Sequence, residues 1–228
     1  MNTISAIIPT FNHGRELLCL LQSIDEQVLQ PSEIIVVDDG STDNTFEIIS
    51  PYLNRIIYIK QENRGAPSAR NKGFEASSGD FLLFLDADLD LRNDMISKMR
   101  ATLSAHPEVA FVYSSFKFGF KKFPCFDFSL ERLKQVPYIP TSSMIRREWF
   151  FGFDESLKRF QDWDLFLGIG LKGGVGLRIP EYLFSAKPRK AGISKWFPGF
   201  LLKIPFLKRV EEYKKAKAII FSKYNLDD

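Results

Sequence analysis

The chain has 228 residues, 45% apolar and 26% charged, with 31 Lys/Arg against 28 Asp/Glu for a net charge of +3. That balance excludes a disordered chain, a collagen and a coiled coil, and the length suits one domain, or one with an appendage, whose core needs no covalent staples. Two cysteines, Cys19 and Cys125, and two histidines, His13 and His106, form neither a disulfide framework nor a zinc spacing.

In chain order, short β-branched or apolar runs at Ile4–Pro9, Glu33–Val37, Arg55–Ile59 and Phe81–Leu85 predict strands. Helices are predicted between them. Arg15–Gln27 sets Leu17, Leu18, Leu21 and Ile24 on one face, Asp43 caps a helix ending near Ser50, and Pro67 opens one ending at Ala76. Strands alternating with helices imply βαβ units and a mainly parallel sheet covered on both faces. Beyond residue 105 the pattern changes. Phe111–Phe128 carries seven of the 22 phenylalanines, interleaved with Lys117, Lys121 and Lys122. Tyr138–Ile145 and Val175–Ile179 read as strands, Gln161–Leu171 as a helix stopped by Gly173-Gly174, and Phe206–Tyr224 as a last helix.

Ligands of open α/β sheets bind beyond the carboxyl ends of the strands. Polar residues gather there: Thr10-Phe11-Asn12 after the first strand, Asp38-Asp39-Gly40-Ser41 after the second, Asp86-Ala87-Asp88 after the fourth. Carboxylates at i and i+2 past a buried strand suit a hard divalent cation shared with phosphate oxygens, although Asp-x-Asp alone reads equally as a solvated acidic loop. A calcium loop is excluded, because its sixth position is Leu91 and its twelfth Ser97. In Asp38-Asp39-Gly40-Ser41 a turn and a helix cap explain Gly40 and Ser41. They leave two acids to accept from a nucleobase N–H or a ribose hydroxyl. Arg70, in the basic stretch Asn63–Gly73, reads either as a phosphate or base contact or as helix surface.

Together these segments resemble the inverting family 2 glycosyltransferases. The matching stretches are Ser5–Asn12, Val36–Asp43, Arg64–Gly73, Phe81–Asp88, and a downstream set of Ser142–Glu148, Phe151–Glu155 and Gln161–Leu165. The resemblance implies the GT-A fold, α/β with a Rossmann-like mainly parallel sheet flanked by helices. It implies one catalytic domain over 1–190, whose nucleotide-sugar half is 1–104 and acceptor half 105–190, followed by a basic aromatic tail over 191–228. It implies a nucleotide-sugar donor, commonly a UDP-sugar. Pro9, Thr10, Phe11, Asp39 and Arg70 would surround the nucleotide, with Asp38 or Asp86 on the ribose side. Asp88, with Asp86 nearby, would hold Mn²⁺ or Mg²⁺ on the diphosphate. Asp162 matches the family's general base; its position at a helix start favours the ionised form, so activation must come from burial. Gln161 and Trp163 would line the sugar or acceptor pocket, although an aromatic next to a helix start is more often core. The chain departs from the family where Gln161 replaces a usual Glu. It departs again in Ser185–Ser194, which lacks a usual His and offers Lys187, Arg189 or Lys190 to the diphosphate.

Charge is unevenly distributed. Lys187–Lys223 holds eleven Lys/Arg and two acids, a segment of +9 on a body of −6. Trp196, Phe197, Phe200, Leu201, Leu202, Phe206 and Leu207 lie among these lysines, a mixture suited to an anionic membrane surface over 191–224 or to folding back on the acidic body. A glycan or lipid-linked acceptor at the cytoplasmic face of a bacterial membrane would unite these features. No nucleic-acid motif accompanies the charge. The start has no basic and apolar leader pattern, and no apolar run reaches about 18 residues, so the expectation is a cytoplasmic protein, peripheral at most. Two other functions fit less well: a sugar nucleotidyltransferase, which would carry a Gly-rich phosphate loop after the first strand, and a non-catalytic sugar-binding module, which would tolerate loss of Asp88 or Asp162.

Overall fold

A computed structural model describes residues 2–187 and 208–226. Its first half runs β1 (Ile4–Thr10), α1 (Gly14–Asp25), β2 (Glu33–Asp38), α2 (Thr45–Ile49), β3 (Ile57–Lys60), α3 (Ala66–Glu75), β4 (Phe81–Phe84), β5 (Leu89–Leu91) and α4 (Met95–Ala105). The second half runs β6 (Phe111–Phe118), β7 (Lys121–Phe123), α5 (Leu130–Gln135), β8 (Met144–Arg146), α6 (Gln161–Leu171), β9 (Gly176–Ala186) and α7 (Lys208–Tyr224). One sheet joins the strands in the order β3-β2-β1-β4-β8-β6-β9-β5, with β7 on β6. β3, β2, β1 and β4 pair in parallel, as do β6 and β9, while β8 enters antiparallel between β4 and β6.

Every residue of β1 and β4 is buried, as expected of strands covered on both faces. Alternation divides their side chains between two apolar layers. Ile4, Ala6, Ile8, Phe81 and Leu83 meet α1 and α4, while Ile7, Leu82 and Phe84 meet α3 and α6. On α1 the buried stripe is Leu17, Leu20, Leu21 and Ile24, so Leu20 takes the core position expected of Leu18. Gly73 lets α3 approach the sheet: a Cβ there would lie 2.4 Å from Ile7 Cγ2 and 3.3 Å from Val37 Cγ2. Gly73→Ala should destabilise the domain by about 1–3 kcal/mol through overpacking, read as a lower urea midpoint at unchanged slope.

Two expectations are corrected. Tyr138–Ile145 is strand only at its end, in β8; Pro137 and Pro140 lack the N–H a ladder needs, and Pro140 O instead accepts the Ser143 hydroxyl at 2.7 Å. β9 continues past Ile179 to Ala186, because the register against β6 jumps from Ile179 to Tyr182 and sets Pro180 in the irregularity. β5, α4 and α5 have no counterpart among the predicted elements, though Met95, Ile96, Met99 and Leu103 form a buried helical stripe on α4.

α7 packs on the domain. Ile220 and Phe221 join the layer that contains Trp163. Lys223 Nζ donates to Asp154 at 2.8 Å and to Asp164 at 2.9 Å, and the Tyr224 hydroxyl donates to Asp164 at 2.9 Å. The lysine's hydrogen bond holds Asp154 down to about 2. The aromatic and aliphatic residues from Trp196 to Leu207 of the expected tail lie outside the described residues. Among the described residues no helix is long and apolar enough to cross a membrane.

Candidate active site at the strand ends

The chain passes from β1 to β2 on one side and returns to β4 on the other, which opens a crevice at the carboxyl ends of β1 and β4. The expected clusters meet there. Pro9 and Thr10 end β1 and are buried, while Phe11 is 40% exposed at the rim. Asn12 follows at φ 54°; its Oδ1 accepts the backbone N–H groups of Thr42 at 2.8 Å and Asp43 at 3.2 Å, tying the end of β1 to the turn after β2. Gly40, at φ 80°, makes that turn, where a Cβ would meet Asn63 N at 2.9 Å.

The two acids of this turn organise the rim. Asp38 is buried; its Oδ1 accepts the Ser41 N–H at 2.7 Å and its Oδ2 the Tyr58 hydroxyl at 2.5 Å. Burial, and then that hydrogen bond, push the Tyr58 phenol well above its ordinary value, so it stays a donor. Asp39 is buried as well. Its Oδ1 accepts from Gln61 Nε2 and the Arg64 N–H, both at 2.8 Å, and its Oδ2 from the Gly65 N–H at 2.7 Å. Both carboxylates therefore carry protein donors and retain lone pairs for further ones. Sequence reasoning did not single out Tyr58, Gln61 or the 64–65 backbone as their partners.

Arg70 joins the two halves of the domain. It is buried on α3, and its two terminal nitrogens donate to Asp86 Oδ1 at 2.6 Å and to Gln161 Oε1 at 2.9 Å. The guanidinium carbon stands 5.2 Å from the centre of the Phe153 ring. Asn71 fixes the same loop, accepting the Phe153 N–H at 2.7 Å and donating to its carbonyl at 2.9 Å. Gln161 Nε2 donates to Leu157 O at 2.9 Å. Gln161 is thus a structural link from the start of α6 to the carboxylates after β4.

Asp162 follows in the first turn of α6. Its Oδ1 accepts its neighbour Trp163's N–H at 2.9 Å. The residue keeps an accessible edge, yet burial of the carboxyl is the dominant influence and raises its pKa above the ordinary aspartate value. The Trp163 N–H and the Arg70 charge oppose that rise, and Asp86 adds to it. Burial outweighs the helix start here. Trp163 itself is 1% exposed, and its indole N–H donates to Leu133 O at 2.5 Å between Phe160 and Phe221. That corrects the expectation of a pocket wall: the ring is core.

Asp86 and Asp88 are half-buried beyond β4. Among the described residues no group of three His, Cys, Asp or Glu could hold a metal ion. Two carboxylates still fit Mg²⁺ or Mn²⁺, which keep several waters and share phosphate oxygens. Thr10 Oγ1 and Arg70 Nε are buried without a partner. Lys187 is exposed just past β9, and Arg189 lies outside the described residues.

This arrangement coincides with a family match. Residues 5–170 fit the model of Glycosyl transferase family 2. The chain belongs to that family. The glycosyltransferase GlyG of Streptococcus pneumoniae is 37% identical over 100 residues, 42% of this chain and 33% of that protein. An uncharacterized glycosyltransferase of Haemophilus influenzae is 28% identical over 179 residues, 72% and 60% of the two chains. The chain thus spans a third to three-fifths of these curated relatives. Among solved structures, S. aureus TarS 1–349 in complex with UDP-GlcNAc superposes with a TM-score of 0.73 at 20% identity, covering 96% of this chain and 66% of that one. The mannosyltransferase PcManGT from Pyrobaculum calidifontis, in complex with GDP-Man and Mn²⁺, gives 0.66 at 19% identity, with 85% and 58% covered. At these identities the superpositions establish the GT-A fold.

Proposed function

We propose that this family 2 domain transfers a sugar from a nucleotide-sugar donor, a UDP-sugar in the first instance, to a hydroxyl of a glycan or lipid-linked acceptor, with inversion. The observation that carries the proposal is the Gln161–Arg70–Asp86 bridge, which draws Asp162 toward the strand-end carboxylates. In this account Pro9, Thr10 and Phe11 border the nucleotide, and Asp38 and Asp39 hold the loops against which it rests. Asp162 accepts the proton of the acceptor hydroxyl. The acceptor oxygen then bonds to the anomeric carbon from the face opposite the diphosphate, and the bond to the diphosphate oxygen breaks. A divalent cation, Mn²⁺ or Mg²⁺, held by Asp86 and Asp88 would neutralise charge on the departing nucleoside diphosphate. Lys187, exposed just past β9, would offer its charge to the same oxygens, and Arg189 would do so by its place in the sequence. Donors bound by structural neighbours, UDP-GlcNAc and GDP-Man, support the donor class. The basic tail supports a site of action at the cytoplasmic membrane face.

Calorimetric titration with UDP-, GDP- and TDP-sugars, in Mn²⁺, Mg²⁺ or EDTA, tests the proposal. One nucleotide class should bind in a metal-dependent manner, and Asp88→Ala should weaken that binding about tenfold or more while the melting temperature stays within a few degrees. Absence of donor binding under every condition would contradict it.

A further inference from the structure

Beyond the crevice, the β6–β7 hairpin presents an exposed aromatic side chain among exposed lysines, one of which, Lys122, lies over the Tyr182 ring at 5.8 Å from its centre. Phe120 sits at its tip, after Gly119 at φ 57°, and is as exposed as a side chain can be, at 107% of its reference area. A single exposed aromatic needs no explanation. Here it is framed by charge: Lys117, Lys121 and Lys122 are all exposed, and so is Lys187 at the end of the adjacent β9. Lys117 and Lys122 stand directly opposite each other across the two strands, an arrangement of like charges that destabilises an isolated pair. Asp90 is the acid on the neighbouring β5, separated from Lys117 by Ser185 of β9.

The opposite face explains why the hairpin nevertheless stands. Phe116 stacks on Phe123 at 4.9 Å and on Phe184 at 5.3 Å, which anchors the ribbon to the sheet, and the Gly119 N–H of the turn donates to Ala186 O of β9 at 3.0 Å, so only Phe120 stands clear. The turn of the hairpin is close to the site. Ala186 pairs with Leu89 on one side and with Phe118 on the other. Leu89, one residue past Asp88, is therefore about 10 Å from the hairpin, two strand spacings away.

We propose that this hairpin is a docking element for an anionic phospholipid surface. Phe120 enters the boundary between headgroups and acyl chains, and the opposed lysines lie among the phosphates that relieve their repulsion. A free anion would use the lysines and leave Phe120 in water; a bilayer uses both. The proposal is independent of the transfer reaction, since binding is measured without donor or acceptor.

Co-sedimentation of the full chain with vesicles of phosphatidylglycerol and phosphatidylcholine, and with vesicles of phosphatidylcholine alone, tests it. The chain should bind the anionic vesicles preferentially, and 0.5 M salt should reduce that binding. Lys117→Ser with Lys122→Ser should lower partitioning roughly tenfold, and Phe120→Ser by about fivefold. Lys60→Ser with Lys72→Ser, which removes an equal charge from β3 and α3, where both lysines are exposed, should change it less than twofold, about the effect of incidental charges. Phe120 makes no packing contribution at full exposure, so its variant should fold, as circular dichroism would verify. Residues 188–207 are common to every variant. Binding undiminished in both hairpin variants, or loss with the lysines but not with Phe120→Ser, would overturn the proposal; the latter would indicate a soluble polyanion instead.

Discussion

Asp162→Asn should reduce sugar transfer by about 10²–10⁴-fold, the contribution of a positioned general base. The amide keeps the shape of the side chain and still accepts the Trp163 N–H, so donor affinity should change little and the loss should fall on kcat. The sign of the pH dependence follows from the shift. Burial raises the Asp162 pKa, so the wild-type acid limb of kcat/KM should lie above the ordinary aspartate value, with activity rising as pH rises through it. The variant's residual activity should lack that limb. Stability should move the other way. A carboxyl whose pKa is raised on folding stabilises the native state when protonated, and that contribution is lost as pH rises through the folded-state pKa. At neutral pH the ionised Asp162 therefore costs stability, and Asp162→Asn should melt higher than wild type by differential scanning calorimetry. Lower kcat with a higher melting temperature distinguishes a buried base from a structural helix cap, whose loss would lower both.

Arg70→Ala should impair both stability and function, because one guanidinium serves both halves of the domain. Asp86 is half-open to solvent, with its side chain 44% exposed against 7% for Arg70, so screening reduces the cost of leaving it unpaired. Loss of the pair, the Gln161 bond and the Phe153 contact should cost about 2 kcal/mol, or a fall of about 4–8 °C in melting temperature. Donor affinity should drop at least tenfold, a loss of about 1.4 kcal/mol, since Asp86 and the start of α6 lose their common tie. Arg70→Lys keeps the charge but cannot reach both partners with one planar fork. It should recover most of the stability and little of the affinity, as paired calorimetry and titration would record.

Much of the nucleotide half is legible in the sequence because its signals are local. The continuous apolar runs of β1 and β4 and the polar residues that end them identify the crevice without any long-range contact. α6 is likewise readable from Gln161 to Leu171, since a glycine pair stops it. What the sequence does not disclose is which partner each polar residue takes. Asp38 and Asp39 look like ligand acceptors by composition, yet Tyr58, Gln61 and the 64–65 backbone already donate to them from 20 to 26 residues away. Gln161 looks like an electrostatic change beside the base, and becomes a tie only once Arg70, 91 residues earlier, is beside it. Trp163 looks like a pocket residue until α5 and α7 cover it. The break in β9 at Pro180 was hidden for the same reason: a proline ends a strand by local rules, and only the bulge against β6 carries the strand past it.

The most direct test of inverting transfer is the configuration of the sugar first released when the enzyme turns over an α-linked nucleotide sugar, followed by proton NMR before mutarotation. Inverting transfer should release the β anomer first, formed by wild type and suppressed in Asp162→Asn. Initial release of the α anomer would contradict it, and so would equal turnover by wild type and variant.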